Sequence, residues 1–352
     1  MNKRIRDYGI CIGTGKTGKH NKITDVPGVK VGHATIDTEE HKTGVTVIMP
    51  CADNPFISKL TAAAYIHNGF GKSQGLVQIE ELGTLETPIA LTNTLNVGKV
   101  HDAIVDYMVK RCDQEGVTAS SINPVVGECN DCHLNKISER VIGIPEVLSA
   151  IGSATEDFEE GDVGAGKGTI CFGMKGGIGS ASRIMEVDGT EFTLGVLVQS
   201  NFGSTSQFVL NHRPMGEILA EKLEEKNVEE AKLDQGSIMM IIATDLPVSE
   251  RQLKRIIKRA SVGLSRCGSY MGHGSGDIMI GFSTANRYSI EPDHFIQTIQ
   301  VLNEARLEQV FLQAADATEE AILNSLVAAH TITGYQNHTK YSLTDLIDLQ
   351  TI

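Results

Sequence analysis

Short apolar runs alternate with helical patterns along this chain, and that alternation restricts it to a few kinds of fold. Sheets that carry helices on their faces produce such an alternation, so we expect an α/β or α+β protein built in layers. The runs that predict strands are Val29–His33, Val45–Met49, Pro88–Thr92, Asn123–Val126, Thr169–Phe172, Phe192–Val198, Ser237–Ala243 and Asp277–Phe282. The patterns that predict helices are Ser58–Asn68, Val97–Arg111, Ser249–Arg266, Asp293–Gln313 and Thr318–His330.

Two of the predicted helices have recognisable starts. Ser249 follows Pro247 and precedes Glu250, which is the pattern of a serine N-cap. The pair Pro292–Asp293 predicts the start of the next helix.

The chain is long enough for one large α/β domain or two ordinary ones, since it has 352 residues of which 41% are hydrophobic. The one plausible linker is the charged stretch from Glu217 to Gln235. Strand patterns typical of a core lie on both sides of that stretch. We therefore expect a single interdigitated domain over residues 1–352.

Composition excludes several classes of function. A formal net charge of −13 argues against nucleic-acid and anionic-membrane partners, both of which select basic surfaces. We find no secretory signal pattern and no apolar run of about 18 residues. Seven scattered cysteines are typical of free thiols in a reducing compartment. These features predict a soluble cytoplasmic protein, and no metal or other cofactor is expected.

A glycine-rich segment, Gly161–Thr169, nearly fits the phosphate-binding P-loop pattern. It fails where Gly168 replaces the hydroxyl residue that would hold magnesium, and it leads into a strand pattern instead of a helix. Nucleotide binding is therefore not predicted. We expect these glycines, like those of Lys175–Arg183, to form tight turns or to allow close backbone contacts.

The segment Cys129–His133 has the CxxCH pattern of c-type haem attachment. Haem attachment of this kind belongs to exported proteins, and no export signal is found. As a zinc site the segment supplies at most three ligands, and no second pair of ligands follows at a usable spacing. We expect a turn after the strand Asn123–Val126.

A polar stretch, Ala220–Gln235, meets an apolar stretch, Ser237–Asp245, at the peptide Gly236–Ser237. If the bond before Ser237 were cut, the serine would carry an α-amine of pKa about 7.7–8.0 beside its hydroxyl. That amine is a ready base for a serine nucleophile. The same pattern also occurs where an ordinary serine begins a core strand, so the junction alone leaves both interpretations open.

Ser275 and Asp277 lie two residues apart at the entry to a predicted strand. Residues two apart on a strand face the same side, so the pair could carry a proton or orient a nucleophile. Glycine, serine and aspartate also cluster in ordinary turns. The adjacent His273 is expected to be structural or solvated.

Asn201 stands at the end of the predicted strand that precedes the Gly236–Ser237 junction. An asparagine there could donate a hydrogen bond to a developing oxyanion, and loss of such a donor costs about 2.7–4 kcal/mol in known hydrolases. On spacing alone, an Asx turn at a strand end explains the residue better.

Taken together, these motifs resemble the DmpA-type aminopeptidases, also called L-aminopeptidase/D-esterase or β-peptidyl aminopeptidases. In order and spacing the resemblance runs from about residue 4 to residue 335. The matching stretches are Asn21–His33, Pro88–Thr94, Pro124–Asp131, Gly164–Gly168, Lys175–Gly179, Val198–Gly203, Gly236–Ser237 and Gly272–Asp277.

The resemblance implies a precursor that cuts itself before Ser237, giving fragments 1–236 and 237–352 that stay associated. Ser237 would become the N-terminal nucleophile, Ser275 and Asp277 its supporting pair, and Asn201 the oxyanion donor. The implied fold is a four-layer α/β/β/α sandwich, similar in layout to the Ntn hydrolases but with different strand connectivity. The implied assembly is a tetramer of cleaved pairs.

The implied activity is release of N-terminal amino acids from small peptides, amides or esters. Asp277 or Glu128 could pair with the free α-amine of the substrate. The chain departs from the family pattern at two positions. Asp277 replaces a more usual glutamate, and Asn130 stands in the stretch where better-studied members place a tyrosine near the substrate.

Two alternatives remain open. The ornithine acetyltransferases resemble this family in fold and self-cleavage, but they use a threonine nucleophile, as does a related hydrolase branch that attacks aminohexanoate amides. The other alternative is a binding protein that keeps the scaffold without catalysis.

Overall fold

The computed structural model describes residues 2–290 and 295–352. Its strands are β1 Lys30–Asp37, β2 Lys42–Met49, β3 Ser58–Gly69, β4 Thr84–Leu85, β5 Ile89–Asn93, β6 Val125–Cys129, β7 Ile170–Cys171, β8 Met174–Lys175, β9 Gly177–Val187, β10 Thr190–Asn201, β11 Val209–Leu210, β12 Arg213–Pro214, β13 Gly236–Thr244, β14 Ser275–Ser289, β15 Ile332–Thr333 and β16 Thr339–Lys340. Its α-helices are α1 Leu76–Leu82, α2 Val97–Gln114, α3 Ile144–Gly152, α4 Gly216–Glu225, α5 Glu250–Ile257, α6 Ala260–Arg266, α7 Leu307–Val327 and α8 Leu343–Leu346.

Two sheets and two helical layers are stacked on one another. The large sheet has the order β4-β3-β14-β13-β10-β9, and the small sheet has the order β1-β2-β5-β6. Apolar side chains fill the space between the sheets, among them Leu91 and Val125 of the small sheet with Met239 and Ile280 of the large one. Helices α2 and α3 cover the outer face of the small sheet, and α5 and α7 cover that of the large sheet. The expected four-layer α/β/β/α sandwich is confirmed.

Strand β13 is buried on both faces at the centre of the large sheet. Met239 and Ile241 face the small sheet, whereas Ile238, Met240 and Ile242 face the helices. A strand covered on both sides needs apolar residues at successive positions, not at alternate ones. This explains why the run Ser237–Ala243 is apolar throughout.

Chain segments from both sides of the Gly236–Ser237 junction share the large sheet. Strands β13 and β14 follow the junction, and they lie between β3 and β10, which precede it. Residues after Gly236 are thus hydrogen-bonded on two sides to residues before it.

The predicted helix Ser58–Asn68 is wrong, because these residues form strand β3. Three consecutive alanines favour a helix locally, but the segment pairs with β14 over most of its length. Leu60, Ala62 and Ala64 face the other sheet, and Ala63 faces the helical layer. This alternation of faces has the period of a strand, so packing overrides local propensity.

The predicted helices near the C-terminus are divided differently in the structure. The Ser249 N-cap is confirmed, since its hydroxyl oxygen accepts the backbone N–H of Gln252. The predicted helix Ser249–Arg266 is broken into α5 and α6. The predicted helices Asp293–Gln313 and Thr318–His330 are in fact joined in α7, which begins at Leu307. The predicted start at Pro292–Asp293 lies outside the described residues.

The predicted linker Glu217–Gln235 is partly helical. Helix α4 occupies its first half and buries Leu219 and Leu223 against the large core. The glycines of Lys175–Arg183 lie mainly in the long strand β9, which the sequence did not predict. Close backbone contact is their role: a β-carbon on Gly179 would lie 2.0 Å from the carbonyl oxygen of Ala321.

The described helices were also compared with what a bilayer requires. Within residues 2–290 and 295–352, no helix combines sufficient length with sufficient apolar character to cross a membrane.

Candidate active site

Three adjacent strands of the large sheet bring the candidate residues to one edge. Asn201 is the last residue of β10, Gly236 the first of β13, and Ser275 the first of β14. Strand β10 runs antiparallel to β13, and β14 runs parallel to β13. The end of β10 therefore lies beside the starts of β13 and β14. Asn201 lies opposite Ser237, Ser275 opposite Gly236, and Asp277 opposite Ile238.

Gly236 adopts a backbone conformation that other residues rarely reach, with φ +115°. A β-carbon added to it would lie 2.0 Å from the carbonyl oxygen of Asn201 and 3.3 Å from the amide nitrogen of that side chain. Both the conformation and the contact therefore require glycine before Ser237.

Ser237 is almost buried, and its hydroxyl points back along its own chain. The hydroxyl donates to the carbonyl oxygen of Gly236 at 2.5 Å. The Ser237 carbonyl oxygen accepts a weak hydrogen bond from the Cys129 thiol at 3.4 Å, which ties this strand start to the small sheet. In the intact chain the serine oxygen thus lies against the peptide bond that would be cut.

Asn201 is oriented by a residue distant in sequence. Its side-chain oxygen accepts the backbone N–H of Ile170 at 2.9 Å. That oxygen bonds to a residue 31 positions earlier in the chain, which is not the local bond of an Asx turn. The amide nitrogen remains available to donate, and it lies on the side of Gly236.

A fully buried lysine supports the loop that carries Ile170. The ammonium group of Lys175 donates to three backbone carbonyl oxygens, those of Gly166 and Thr169 at 2.8 Å and that of Gly176 at 2.6 Å. Burial lowers the pKa of this lysine to about 7. No motif in the sequence indicates this role, because the three carbonyls belong to an irregular turn.

Ser275 and Asp277 are in contact and fully buried. The Ser275 hydroxyl donates to Oδ1 of Asp277 at 2.8 Å, and Oδ2 of Asp277 has no hydrogen-bond partner in the described part of the chain. Burial raises the pKa of Asp277 to about 7; the Ser275 hydrogen bond opposes this rise, and the charge of Asp234 adds to it. The carboxyl group is therefore poised to exchange a proton near neutral pH.

The two serines lie on different faces of the large sheet. Along β14, Asp277 shares a face with Met279, which packs against the helical layer. Gly276 faces the same side as Ser237, and a β-carbon on it would lie 3.0 Å from the Ser237 hydroxyl oxygen.

The raised pKa of Asp277 predicts a pH-dependent stability of the uncut chain. An aspartate has a pKa of about 3.9 when unfolded, so the native state binds this proton more tightly and loses stability as pH rises from about 4 through about 7. In the Ser237→Ala background, which prevents cutting, Asp277→Asn should flatten that loss. The urea midpoints of both proteins at pH 5 and pH 8 measure this loss. The same fall in midpoint from pH 5 to pH 8 in both proteins would contradict the prediction.

A cavity of about 280 Å³ opens beside Ser237. Its wall includes Phe70, Lys72, Thr94, Glu128 and Asn130, together with Gln235, Gly236, Ser237 and Gly274. Ser275 and Asp277 do not line it. The wall residues come from five separate segments of the chain, and these segments meet because the two sheets pack together.

Glu128 supplies the buried negative charge of this cavity. Its Oε1 accepts the backbone N–H of Lys72 at 2.9 Å, and its Oε2 accepts the hydroxyl of Thr94. Each carboxylate oxygen can accept a further hydrogen bond. Asn130 is exposed, and its side-chain oxygen accepts the backbone N–H of Cys132 at 3.0 Å.

The other motifs singled out in the sequence contribute little to this cavity, since only Asn130 of the CxxCH segment lines it. Lys167 of the P-loop-like segment pairs with Asp37 at 2.7 Å and Asp162 at 3.0 Å. Cys129 is buried and Cys132 is exposed, and both thiols are free. The predicted turn does follow a strand, but that strand, β6, ends at Cys129 and not at Val126 as expected. His273 is exposed and does not line the cavity.

The chain is similar to known proteins in sequence and in fold. The model of peptidase family S58 matches residues 21–340. The β-peptidyl aminopeptidase BapA of Sphingosinicella microcystinivorans is 38% identical, and the match covers 96% of this chain and 88% of that protein.

Two solved structures are similar over nearly the whole chain. The PH0078 protein of Pyrococcus horikoshii OT3 is 46% identical with a TM-score of 0.89, covering 97% of this chain and 96% of that one. The L-aminopeptidase D-Ala-esterase/amidase of Ochrobactrum anthropi, described as a variant of the Ntn hydrolase fold, is 35% identical with a TM-score of 0.90. That match covers 99% of this chain and 96% of the other.

The resemblance to the DmpA-type aminopeptidases and to the Ntn hydrolase layout is confirmed by these matches. With a family model spanning most of its length and relatives this similar, the chain belongs to peptidase family S58.

Proposed function

We propose that this protein cuts itself between Gly236 and Ser237 and then uses Ser237 as an N-terminal nucleophile. The observation that carries the proposal is the Ser237 hydroxyl, which donates to the Gly236 carbonyl oxygen at 2.5 Å beside the Asn201 amide. The intact mass of the purified protein tests it, because cutting gives two fragments of known mass.

The class of enzyme follows from the family. The protein is a serine aminopeptidase of peptidase family S58. Its proposed substrates are small peptides, amino-acid amides and esters that carry a free amine. Support comes from relatives that are named as a β-peptidyl aminopeptidase and as an L-aminopeptidase D-Ala-esterase/amidase.

Self-cleavage begins with attack of the Ser237 oxygen on the carbonyl carbon of Gly236. The hydroxyl proton passes to the Ser237 nitrogen as the bond from that nitrogen to the carbonyl carbon breaks and an ester forms. Water then hydrolyses the ester to a Gly236 carboxylate and a free Ser237 hydroxyl. The tetrahedral intermediate carries negative charge on the Gly236 oxygen. We propose the Asn201 amide nitrogen as the side-chain donor that stabilises it, and the support is that this nitrogen lies beside Gly236.

In turnover the new α-amine of Ser237 accepts the hydroxyl proton as the oxygen attacks the substrate carbonyl. The proton passes to the leaving amine or alcohol, and water releases the acyl group from Ser237 in a second step. The Ser275–Asp277 pair would hold the α-amine, since the unpartnered Oδ2 of Asp277 can accept a hydrogen bond from it.

Glu128 is the better of the two proposed partners for the substrate amine. It lines the cavity beside Ser237, whereas Asp277 faces the helical layer. A carboxylate that is almost buried attracts an ammonium group more strongly than an exposed one does. Pairing at this point makes a free N-terminus a condition of binding, which is the property of an aminopeptidase.

Glu128→Gln should therefore lower kcat/KM for amino-acid amides by about a hundredfold, mostly through KM, because a buried charge partner is lost. Hydrolysis of an ester with a blocked amine should change little. Steady-state kinetics on both substrates measure the difference, with Glu81→Gln on the exposed face of α1 as the matched control. Equal losses on both substrates would contradict amine binding.

The two fragments, 1–236 and 237–352, are proposed to remain one domain after cutting. Support comes from β13 and β14, which pair on both sides with strands of the first fragment. We further propose a tetramer of cleaved pairs in the cytoplasm. Support for the cytoplasm comes from the seven cysteines, all of which are free. Support for the tetramer comes from exposed apolar side chains such as Val77 and Leu148, which are available for contacts between subunits. Light scattering should then give four times the chain mass of 37.9 kDa.

A further inference from the structure

A second polar cavity, of about 540 Å³, lies apart from the one beside Ser237. Its walls are the segment 226–229 after α4, His133 in the turn after β6, and residues 337–341 around β16. The two cavities share no residue. A ligand in this cavity would therefore not touch the residues that line the cavity beside Ser237.

Lys340 is the residue that makes this cavity unusual. Its side chain belongs to a residue only 8% exposed, yet within residues 2–290 and 295–352 its ammonium group makes neither a hydrogen bond nor an ion pair. Burial lowers the pKa of Lys340, and the charge of Glu229 partly offsets this effect without an ion pair between them. The ammonium nitrogen itself is not fully enclosed, so it faces the open space of the cavity, where a cation with no protein partner can bind an anion.

The other charged and titratable groups on the wall are mostly positive or neutral. Lys226 places its ammonium 5.4 Å from the centre of the Tyr341 ring. The rings of His133 and His338 are stacked 4.3 Å apart, and Nδ1 of His338 contacts the His133 carbonyl oxygen at 2.8 Å. Because a carbonyl oxygen only accepts, Nδ1 of His338 is the donor in that contact, and Nε2 of the neutral ring is then an acceptor that cannot bind an anion.

The charges near His133 are positive. Burial lowers the pKa of His133 to about 4, and the positive charges of Lys340 and His338 contribute to the shift. Glu229, which is exposed, is the one carboxylate on this wall. The wall thus carries two ammonium groups against one acid, in a protein whose net charge is −13.

We propose that this cavity binds a small oxyanion, a carboxylate or a phosphate group, with the Lys340 ammonium as its main partner. Lys226 at the rim would add attraction at longer range. The cavity is larger than a bare phosphate, so it has room for the organic part of a bound acid.

Calorimetric titration at pH 7 and low salt tests the proposal, with inorganic phosphate and succinate as separate probes. We expect saturable binding of at least one probe, and the tighter of the two identifies the anionic group. Lys340→Met should weaken that binding at least tenfold, because a hydrogen bond to a charged group is lost. Lys110→Met, an exposed lysine on α2, is the matched control and should bind like the parent.

Thermal unfolding provides a second measurement, which distinguishes loss of anion binding from misfolding of the variant. Without added anion, Lys340→Met should unfold at the same temperature as the parent or higher, because the variant loses no hydrogen bond or ion pair within the described residues and keeps an apolar side chain of similar length. With saturating probe, the midpoint of the parent should rise and that of the variant should not. Absence of saturable binding of both probes to the parent, or unchanged binding by Lys340→Met, would overturn the proposal.

Discussion

Replacement of Ser237 by alanine should leave one chain of 352 residues with no measurable hydrolase activity, whereas the parent protein appears as fragments 1–236 and 237–352. The hydroxyl is the attacking group in both self-cleavage and turnover. Loss of the nucleophile in serine hydrolases lowers kcat on the order of 10⁶-fold. Here the loss should be larger in effect, since the uncut chain also lacks the α-amine that serves as the base.

Intact mass and N-terminal sequencing measure the cut, and hydrolysis of a small amino-acid amide measures activity. Ser206→Ala, at an exposed serine near the end of β10, is a suitable control and should be cut and active like the parent. An active parent protein with an intact chain, or with a break at another bond, would contradict the proposal. An intact and inactive parent would instead favour the non-catalytic scaffold.

A Ser237→Thr variant and an acetylornithine assay address the remaining alternative, an acyl-transferase. The acetyltransferases that resemble this family use threonine, so this variant tests whether the site accepts the nucleophile of that branch. We expect slower cutting, because the added methyl group must fit a position that is 4% exposed and close to Gly276. Transfer of an acetyl group from acetylornithine by the parent protein would support an acyl-transferase.

The layers could be predicted from the sequence where burial dictates residue type. A strand covered on both faces must be apolar throughout, so the run Ser237–Ala243 could be assigned directly. Ser58–Asn68 could not, because alanine suits either structure and its partner β14 lies more than 200 residues away. Local propensity does not determine the secondary structure of a segment whose pairing partner is that distant in the sequence.

The site shows the same division. The contact of Ser275 with Asp277 follows from a spacing of two residues on a strand, which the sequence alone provides. Lys175 could not be recognised, because its three carbonyl partners belong to a turn whose shape is set by packing. The bonds of Glu128 to Lys72 and Thr94 likewise form only when the sheets stack.

Asn201→Ala should lower kcat for an amino-acid amide by about 10²–10³-fold, since one donor to the oxyanion is lost. Self-cleavage should slow as well, because it passes through the same kind of tetrahedral intermediate. A time course of cutting after synthesis and a steady-state assay of the fully cut protein measure the two effects separately.

Asn201→Asp is the decisive comparison for this residue. An aspartate oxygen can still accept the backbone N–H of Ile170, which holds the side chain in place at 2.9 Å, but the amide donor becomes a second oxygen. If Asn201 acts as a donor, the aspartate variant should be at least as slow as the alanine variant, because a carboxylate repels the developing negative charge. If Asn201 only anchors the loop of Ile170, the aspartate variant should keep a kcat within a few-fold of the parent. That second outcome would remove Asn201 from the oxyanion site and leave the stabilisation to backbone N–H groups.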